Sequence, residues 1–263
     1  MKISNKTQLY LSCSSKPGNF GATLYNSLFG YYDIDAVYLP RYCIDAKELI
    51  NSVRLLDCLG CSVSMPLKNQ VIPYLDELSG YAQRAQSVNT IVNKAGRLIG
   101  HNTDIYGAIN TLGKAKIENV IIYGAGSVVD SLLIALDELG IQELFIISRN
   151  LEKTRAKCEG QGAKVIESLK DVPSDYDLLI NATPAPFGGD LMTLLARARK
   201  VFDLVVSPTD TQIITAAKKT GKDFFTGTEM AKYQFQRQFF CYTGLEPKLE
   251  EIAAILNELY ING

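Results

Sequence analysis

Two side chains of opposite charge end short polar segments where a buried element would not need them. Lys68 closes Ser62-Val-Ser64-Met-Pro-Leu-Lys68, and Asp104 closes Gly100-His-Asn102-Thr103-Asp104. A third segment, Ser87-Val-Asn89-Thr90, sets an amide at the start of a strand-like run. An amine and a carboxylate held together beside a carbonyl can share a proton transfer, once burial or a neighbouring charge tunes each toward the working pH. Singly, each has a plainer reading: a surface lysine, and a helix N-cap ahead of residues 105–112. Other chemistry has little room. The chain has 1 histidine, His101, so a Ser-His-Asp triad, an HExxH zinc site or a multi-histidine metal cluster must pass through it or be absent.

A second group of residues points to a phosphate. Gly124-Ala125-Gly126 follows an apolar run and opens another at Ser127-Val128. Glycines in that context let a pyrophosphate approach the amino end of a helix. The third glycine of the fingerprint is replaced by Val129. One strand later comes Ser148-Arg149-Asn150-Leu-Glu-Lys153. A site selective for NAD would put an acid there to hold the ribose 2′-hydroxyl, whereas Arg149 and Lys153 suit a 2′-phosphate. NADP is expected, with NAD the lesser alternative.

These residues need elements to hold them. Strands are expected at 8–12, 36–40, 61–65 and, as a hairpin around Lys94-Ala-Gly96, at 88–93 and 97–100. Helices are expected at 19–29, with Phe20, Leu24 and Leu28 on one face, and at 44–56 and 76–86. Farther on, strands at 119–123, 144–148, 164–166, 177–182, 201–206 and 223–225, with a helix at 127–139, follow the doubly wound nucleotide-binding pattern. Helices at 229–242 and 248–259 have no strand between them and are expected to pack back on the first unit. The fold class expected is α/β. An N-terminal α/β substrate domain (1–104, completed by 229–263) joins an NAD(P)-binding Rossmann domain (105–228), with a cleft between them.

Composition narrows the partners. With 27 basic and 28 acidic residues, the net charge of −1 offers no field to hold nucleic acid. No apolar run is long enough to span a membrane, and the first residues lack the apolar core of a secretory signal. The 6 cysteines are scattered over 263 residues, unlike a disulfide framework. Cys58-Leu-Gly-Cys61 has no second pair to make a zinc ribbon, and Cys61 opens a strand-like run rather than a helix. Reduced structural thiols, a cytoplasmic location, a small-molecule substrate, no metal, and a monomer or homodimer are expected.

Taken together, the segments resemble the motif blocks of the shikimate dehydrogenase family, in its divergent shikimate dehydrogenase-like branch. The family's N-V-T-V-P-F-K is similar to Ser62-Val-Ser-Met-Pro-Leu-Lys68, its A-V-N-T to Ser87-Val-Asn89-Thr90, and its G-x-N-T-D to Gly100-His-Asn-Thr-Asp104. Its G-A-G-G-A matches Gly124-Ala-Gly126-Ser127-Val128 in part, and its N-R-T-x-x-R/K matches Ser148-Arg149-Asn150 through Lys153. I-N-A-T-P stands intact from Ile180 to Pro184, and G-x-x-M-x-x-x-Q matches Gly227, Met230 and Gln234. The blocks run in order over nearly the whole chain.

The resemblance implies reduction of 3-dehydroshikimate to shikimate with NADPH, a step of aromatic amino-acid (chorismate) biosynthesis. It implies Lys68 and Asp104 as the catalytic pair. Asn89, Ser64 and Gln234 would meet the ring hydroxyls or orient the pair, Ser14 or Ser12 would bind the substrate carboxylate, and Thr183 and Gly227 would join the cofactor site. The chain also departs from the family. S-x-S-P becomes Ser12-Cys13-Ser14 with Lys16 before Pro17, Ser64 replaces a threonine, and Val206 replaces a tyrosine. A quinate or aminoshikimate dehydrogenase, or a non-catalytic NADP sensor, are therefore the alternatives; the retention of both Lys68 and Asp104 stands against the sensor.

Overall fold

The computed structural model describes residues 3–184, 188–206 and 210–262. It divides into two compact units. One runs to Thr103 and resumes at Gln234, and the other is Asp104–Tyr233.

The first unit is built on β1 (Gln8–Ser14), α1 (Phe20–Tyr31), β2 (Ala36–Tyr42), α2 (Ala46–Leu55), β3 (Gly60–Val63), α3 (Leu67–Gln70), β4 (Glu77–Leu78), α4 (Gly80–Ala85), β5 (Thr90–Lys94) and β6 (Arg97–His101). Its sheet has the order β2-β1-β3-β5-β6-β4. β2, β1 and β3 run parallel, and β5 reverses against β3. Parallel strands need cover on both faces, and the apolar residues divide accordingly. Leu49, Ile50 and Val53 of α2 pack with Leu11, Cys61 and Val63 on one face. Leu24, Tyr25, Leu28 and Phe29 of α1 pack with Tyr10 and Tyr38 on the other. Phe239, Tyr242, Ile252 and Leu256 complete that second cluster.

Local signals explain most boundaries. Asp45 accepts from the Glu48 N–H at 2.9 Å, so α2 starts after it rather than at residue 44. Ala95 and Gly96 both have positive φ (53° and 88°), which gives the tight two-residue turn joining β5 to β6. β3 is shorter than expected because the Ser64 carbonyl accepts from Leu67 N–H at 2.8 Å and turns the chain into α3. The helix expected at 76–86 is corrected. The Asp76 carboxylate accepts from Leu98 N–H at 2.6 Å and pairs with Arg54 at 2.8 Å. That pins the chain extended as β4 beside β6, and α4 begins only at Gly80. Cys13, Cys58 and Cys61 are buried free thiols in the apolar cluster.

The second unit begins in α5 (Thr103–Leu112). β7 (Asn119–Tyr123), α6 (Val128–Glu138), β8 (Glu143–Ile147), α7 (Leu151–Cys158), β9 (Lys164–Val165), β10 (Tyr176–Asn181), α8 (Gly189–Arg197), β11 (Ala198–Asp203), α9 (Gln212–Lys219) and β12 (Asp223–Thr226) follow. Every strand pair is parallel, in the order β12-β11-β10-β7-β8-β9. Renumbered from β7, this is the 3-2-1-4-5-6 order of a doubly wound sheet. Asp104 lies inside the first turn of α5, not at its cap, because the helix starts at Thr103. α10 (Gly227–Thr243) and α11 (Leu249–Asn262) close the chain. Among the described residues, no helix is long and apolar enough to cross a membrane.

Candidate functional site

In a doubly wound sheet the connections from β7 and β10 leave in opposite directions, and a crevice opens at their carboxyl ends. Here that crevice carries an open pocket of about 310 Å³. Its floor is Gly124-Ala125-Gly126, one wall is Ser148, Arg149, Asn150 and Lys153, and the other is Ala182, Thr183 and Pro184. Gly124 has φ +123°, and a Cβ there would stand 2.7 Å from the Thr183 methyl, so only glycine fits. At Gly126 the nearest atom to an added Cβ is 3.9 Å away. The protein's own packing therefore does not demand that glycine; a Cβ would instead protrude where a phosphate approaches the start of α6. Val129, in the third glycine's place, is fully buried and packs α6 on the sheet.

The walls are braced from behind. Asn181 Oδ1 accepts from the Thr183 hydroxyl at 2.8 Å, and Asn181 Nδ2 donates to Asp203 at 3.0 Å. On the other side, Asn150 Oδ1 accepts from Lys153 N–H at 2.9 Å and caps α7, while Ser148 Oγ meets Thr154 Oγ1 at 2.7 Å. The polar atoms of Ser148 and Asn150 thus shape the turn. Arg149 and Lys153 are exposed and carry its positive charge. Of the other residues expected at the cofactor, Ser127 precedes α6 without a side-chain capping bond and Val128 opens the helix, both outside the pocket lining. Gly227 is also outside it; a Cβ there would meet the Leu204 carbonyl at 2.4 Å, so it serves the packing of α10 on β11.

The first unit gathers the other polar segments. Ser64 N–H donates to the Cys13 carbonyl at 3.0 Å, Ser15 N–H to Met65 at 3.1 Å, Val63 N–H to Asn89 at 2.9 Å and Val88 N–H to Lys68 at 2.8 Å. The segments of Ser14, Ser64, Lys68 and Asn89 are thereby tied together at one end of the central strands β1, β3 and β5. Ser14 is buried, and its Oγ accepts from Lys16 N–H at 3.2 Å. Ser12 hydrogen-bonds instead to the Tyr38 phenol, whose ionisation burial pushes strongly up. Asn89 is 4% exposed, and its Oδ1 accepts from Thr103 N–H at 2.9 Å, so Asn89 caps the helix that carries Asp104. Lys68 belongs to the first unit and Asp104 is the first residue of the second.

Gln234 is half-buried on α10, but the glutamine in the interior is Gln238, at 2% exposure. Its Oε1 accepts from Ser62 Oγ at 2.9 Å and from the Tyr25 hydroxyl, and its Nε2 donates to Thr90 Oγ1. The sequence held one signal for it: an amide between Phe235 and Phe239 on the helix face that leads to Tyr242.

The imidazole beside the edge, His101, is held below its ordinary pKa of 6.5 by burial and by the positive charges of Arg237 and Lys94, with Glu77 opposing. The folded state therefore resists protonation. This contribution to stability is present above 6.5 and is lost as pH falls through the depressed value. As the chain's only histidine, it gives a single imidazole Cε1–H resonance, whose titration midpoint is expected below that of the urea-unfolded chain. Equal midpoints would refute the shift.

The donors fit a dinucleotide with an extra phosphate: a glycine floor open to a pyrophosphate, two cations at the end of β8, and, among the described residues, no carboxylate in the lining. No group of three or more His, Cys, Asp or Glu residues among those described is placed to hold a metal. The fold and this cradle define a two-unit α/β protein of the dinucleotide-binding class. A family model described as the shikimate dehydrogenase substrate binding domain matches residues 20–91. The chain is 33% identical to a shikimate dehydrogenase-like protein of Haemophilus influenzae, over 95% of its own length and 96% of the relative's. It is also 33% identical to a shikimate dehydrogenase (NADP(+)) of Pyrococcus furiosus, over 86% of each. A solved structure of a shikimate 5-dehydrogenase-like protein superposes with TM-score 0.89 at 32% identity, covering 97% of this chain and 98% of that one. The chain belongs to the shikimate dehydrogenase family.

Proposed function

We propose that the protein is an NADP-dependent dehydrogenase interconverting 3-dehydroshikimate and shikimate. What carries the reading, in a chain of this family, is the set of backbone hydrogen bonds that ties the segments of Ser14, Ser64, Lys68 and Asn89 at one end of the central strands. The basic wall of the pocket supports the choice of NADP. Arg149 grips the 2′-phosphate with a forked pair of hydrogen bonds, and Lys153 adds a point charge.

Bound NADP takes up or gives the hydride. The chain does the rest. Ser14, with its oxygen already accepting from Lys16 N–H, gives its hydroxyl proton to the substrate carboxylate. Ser12 is turned to Tyr38 and is the weaker candidate. Asn89, Ser64 and Gln234 meet the ring hydroxyls. In the reducing direction, Lys68 gives a proton to the carbonyl oxygen as it becomes an alcohol, and Asp104 is the carboxylate of the catalytic pair. In the oxidising direction, Lys68 takes that proton back.

The test is NADP+ reduction with shikimate and with quinate under the same conditions. Faster turnover of shikimate is expected. Faster turnover of quinate would move the assignment to that substrate. NADP binding with no turnover of either would leave a sensor.

A further inference from the structure

Beneath the polar edge of the first unit lies a buried hydrogen-bond network whose protons can run in only one sense. Gln238 is its centre. The side-chain Nε2 donates to Thr90 Oγ1 and, at 3.4 Å, to the Asn89 carbonyl. Oε1 accepts from the Tyr25 hydroxyl and from Ser62 Oγ. A primary amide has two protons to give and two acceptor sites, so every position is used; turning it over would set Oε1 against the Asn89 carbonyl, which can only accept, and this fixes its sense. Ser62 gives its one proton to Gln238, which makes the phenols of Tyr38, at 2.5 Å, and Tyr242, at 3.0 Å, its donors. Burial raises the pKa of both phenols, which keeps them protonated for that role. Thr90 receives from Gln238, so its own proton goes to Asn89 Oδ1 at 2.8 Å. That oxygen also takes the Thr103 N–H, and the Asn89 amide is fixed with its oxygen inward.

We infer that Gln238 is a positioning residue for substrate: through Thr90 it supplies one of the bonds that orient the Asn89 amide, beside those from Thr103, and with it part of the affinity for the ring hydroxyl that Asn89 meets. The inference rests on the assignment of Asn89 to the substrate. Gln238 touches neither substrate nor cofactor in this scheme. A leucine there would fill the volume but leave Thr90 without its donor. The Thr90 hydroxyl could then rotate away and leave Asn89 Oδ1 with Thr103 alone as its donor, whereas nothing in the pocket of the second unit would change.

Three substitutions and one control test this with the full-length protein. Gln238→Leu and Thr90→Val, which break the same line one bond apart, are each expected to raise the shikimate KM about tenfold, from the loss of a buried hydrogen bond, with the NADP+ KM held within about twofold. Tyr25→Phe removes a donor only from the far end of Gln238. It is expected to lower the melting temperature and leave the shikimate KM at the parent value. Asn89→Ala is expected to raise the shikimate KM at least as much as Gln238→Leu. If Asn89→Ala raises it while neither Gln238→Leu nor Thr90→Val does, the positioning role is wrong and the Asn89 assignment stands. If Asn89→Ala leaves it unchanged, that assignment fails and the inference with it. If Tyr25→Phe raises it equally, the effect is general loosening and the inference is overturned. Should Gln238→Leu not fold, Thr90→Val decides.

Discussion

Lys68→Ala is expected to lower kcat for shikimate oxidation by about 10²–10⁴-fold, the range general acid–base groups contribute. The NADP+ KM should change little, because the pocket that would take the cofactor lies in the second unit and includes no part of α3. The substitution isolates the side chain. The Lys68 backbone carbonyl accepts from Val88 N–H at 2.8 Å, and alanine keeps that bond. The side chain is only half-buried, so its removal leaves no large cavity. An unchanged melting temperature with a collapsed kcat would therefore report on chemistry alone. Turnover within a fewfold of the parent would show that Lys68 does not carry the proton.

Arg149→Ala has the second large effect, and its size depends on the cofactor offered. A hydrogen bond to a charged group is worth about 1.5–3 kcal/mol, so losing the guanidinium should raise the NADP+ KM roughly 10- to 150-fold. NAD+ has no 2′-phosphate, and its KM should stay within about twofold of the parent on the same account. Arg149 is exposed, so the penalty is screened and should shrink as salt is added. The fold has little stake in the side chain, since the turn is held by Asn150 capping α7 and by Ser148 against Thr154. Equal losses for both cofactors would remove the 2′-phosphate assignment.

The residues differ in how plainly their sequence context announced them. β7 falls at 119–123 as expected because four consecutive strand formers, Val120 to Tyr123, run up to the glycine turn and the first three of them are buried. The Gly124 turn was legible because strand, glycine and apolar helix come in immediate succession. The extended course of Asp76 was not, since it depends on Leu98 and Arg54, each more than twenty positions away. The motif residues Ser148 and Asn150 line the pocket, and their polar atoms also hold their own loop together, a second role that the motif does not announce. Gln238 was hidden for a related reason. Gln234, Gln236 and Gln238 alternate along one stretch of α10, and which of them faces the interior is decided by the partners that Tyr25, Ser62 and Thr90 supply.

The aromatic face formed by Tyr10, Tyr25 and Phe29 is covered by Phe239, Tyr242 and Ile252, residues made more than two hundred positions later. On the ribosome, the opening hundred residues thus emerge with that face bare, while the Asp104–Tyr233 unit has all of its own strands and can mature first. Until translation passes Ile252, the nascent chain offers an apolar surface to chaperones. A stall or premature stop near residue 235 would release a polypeptide with one finished half and one prone to aggregate.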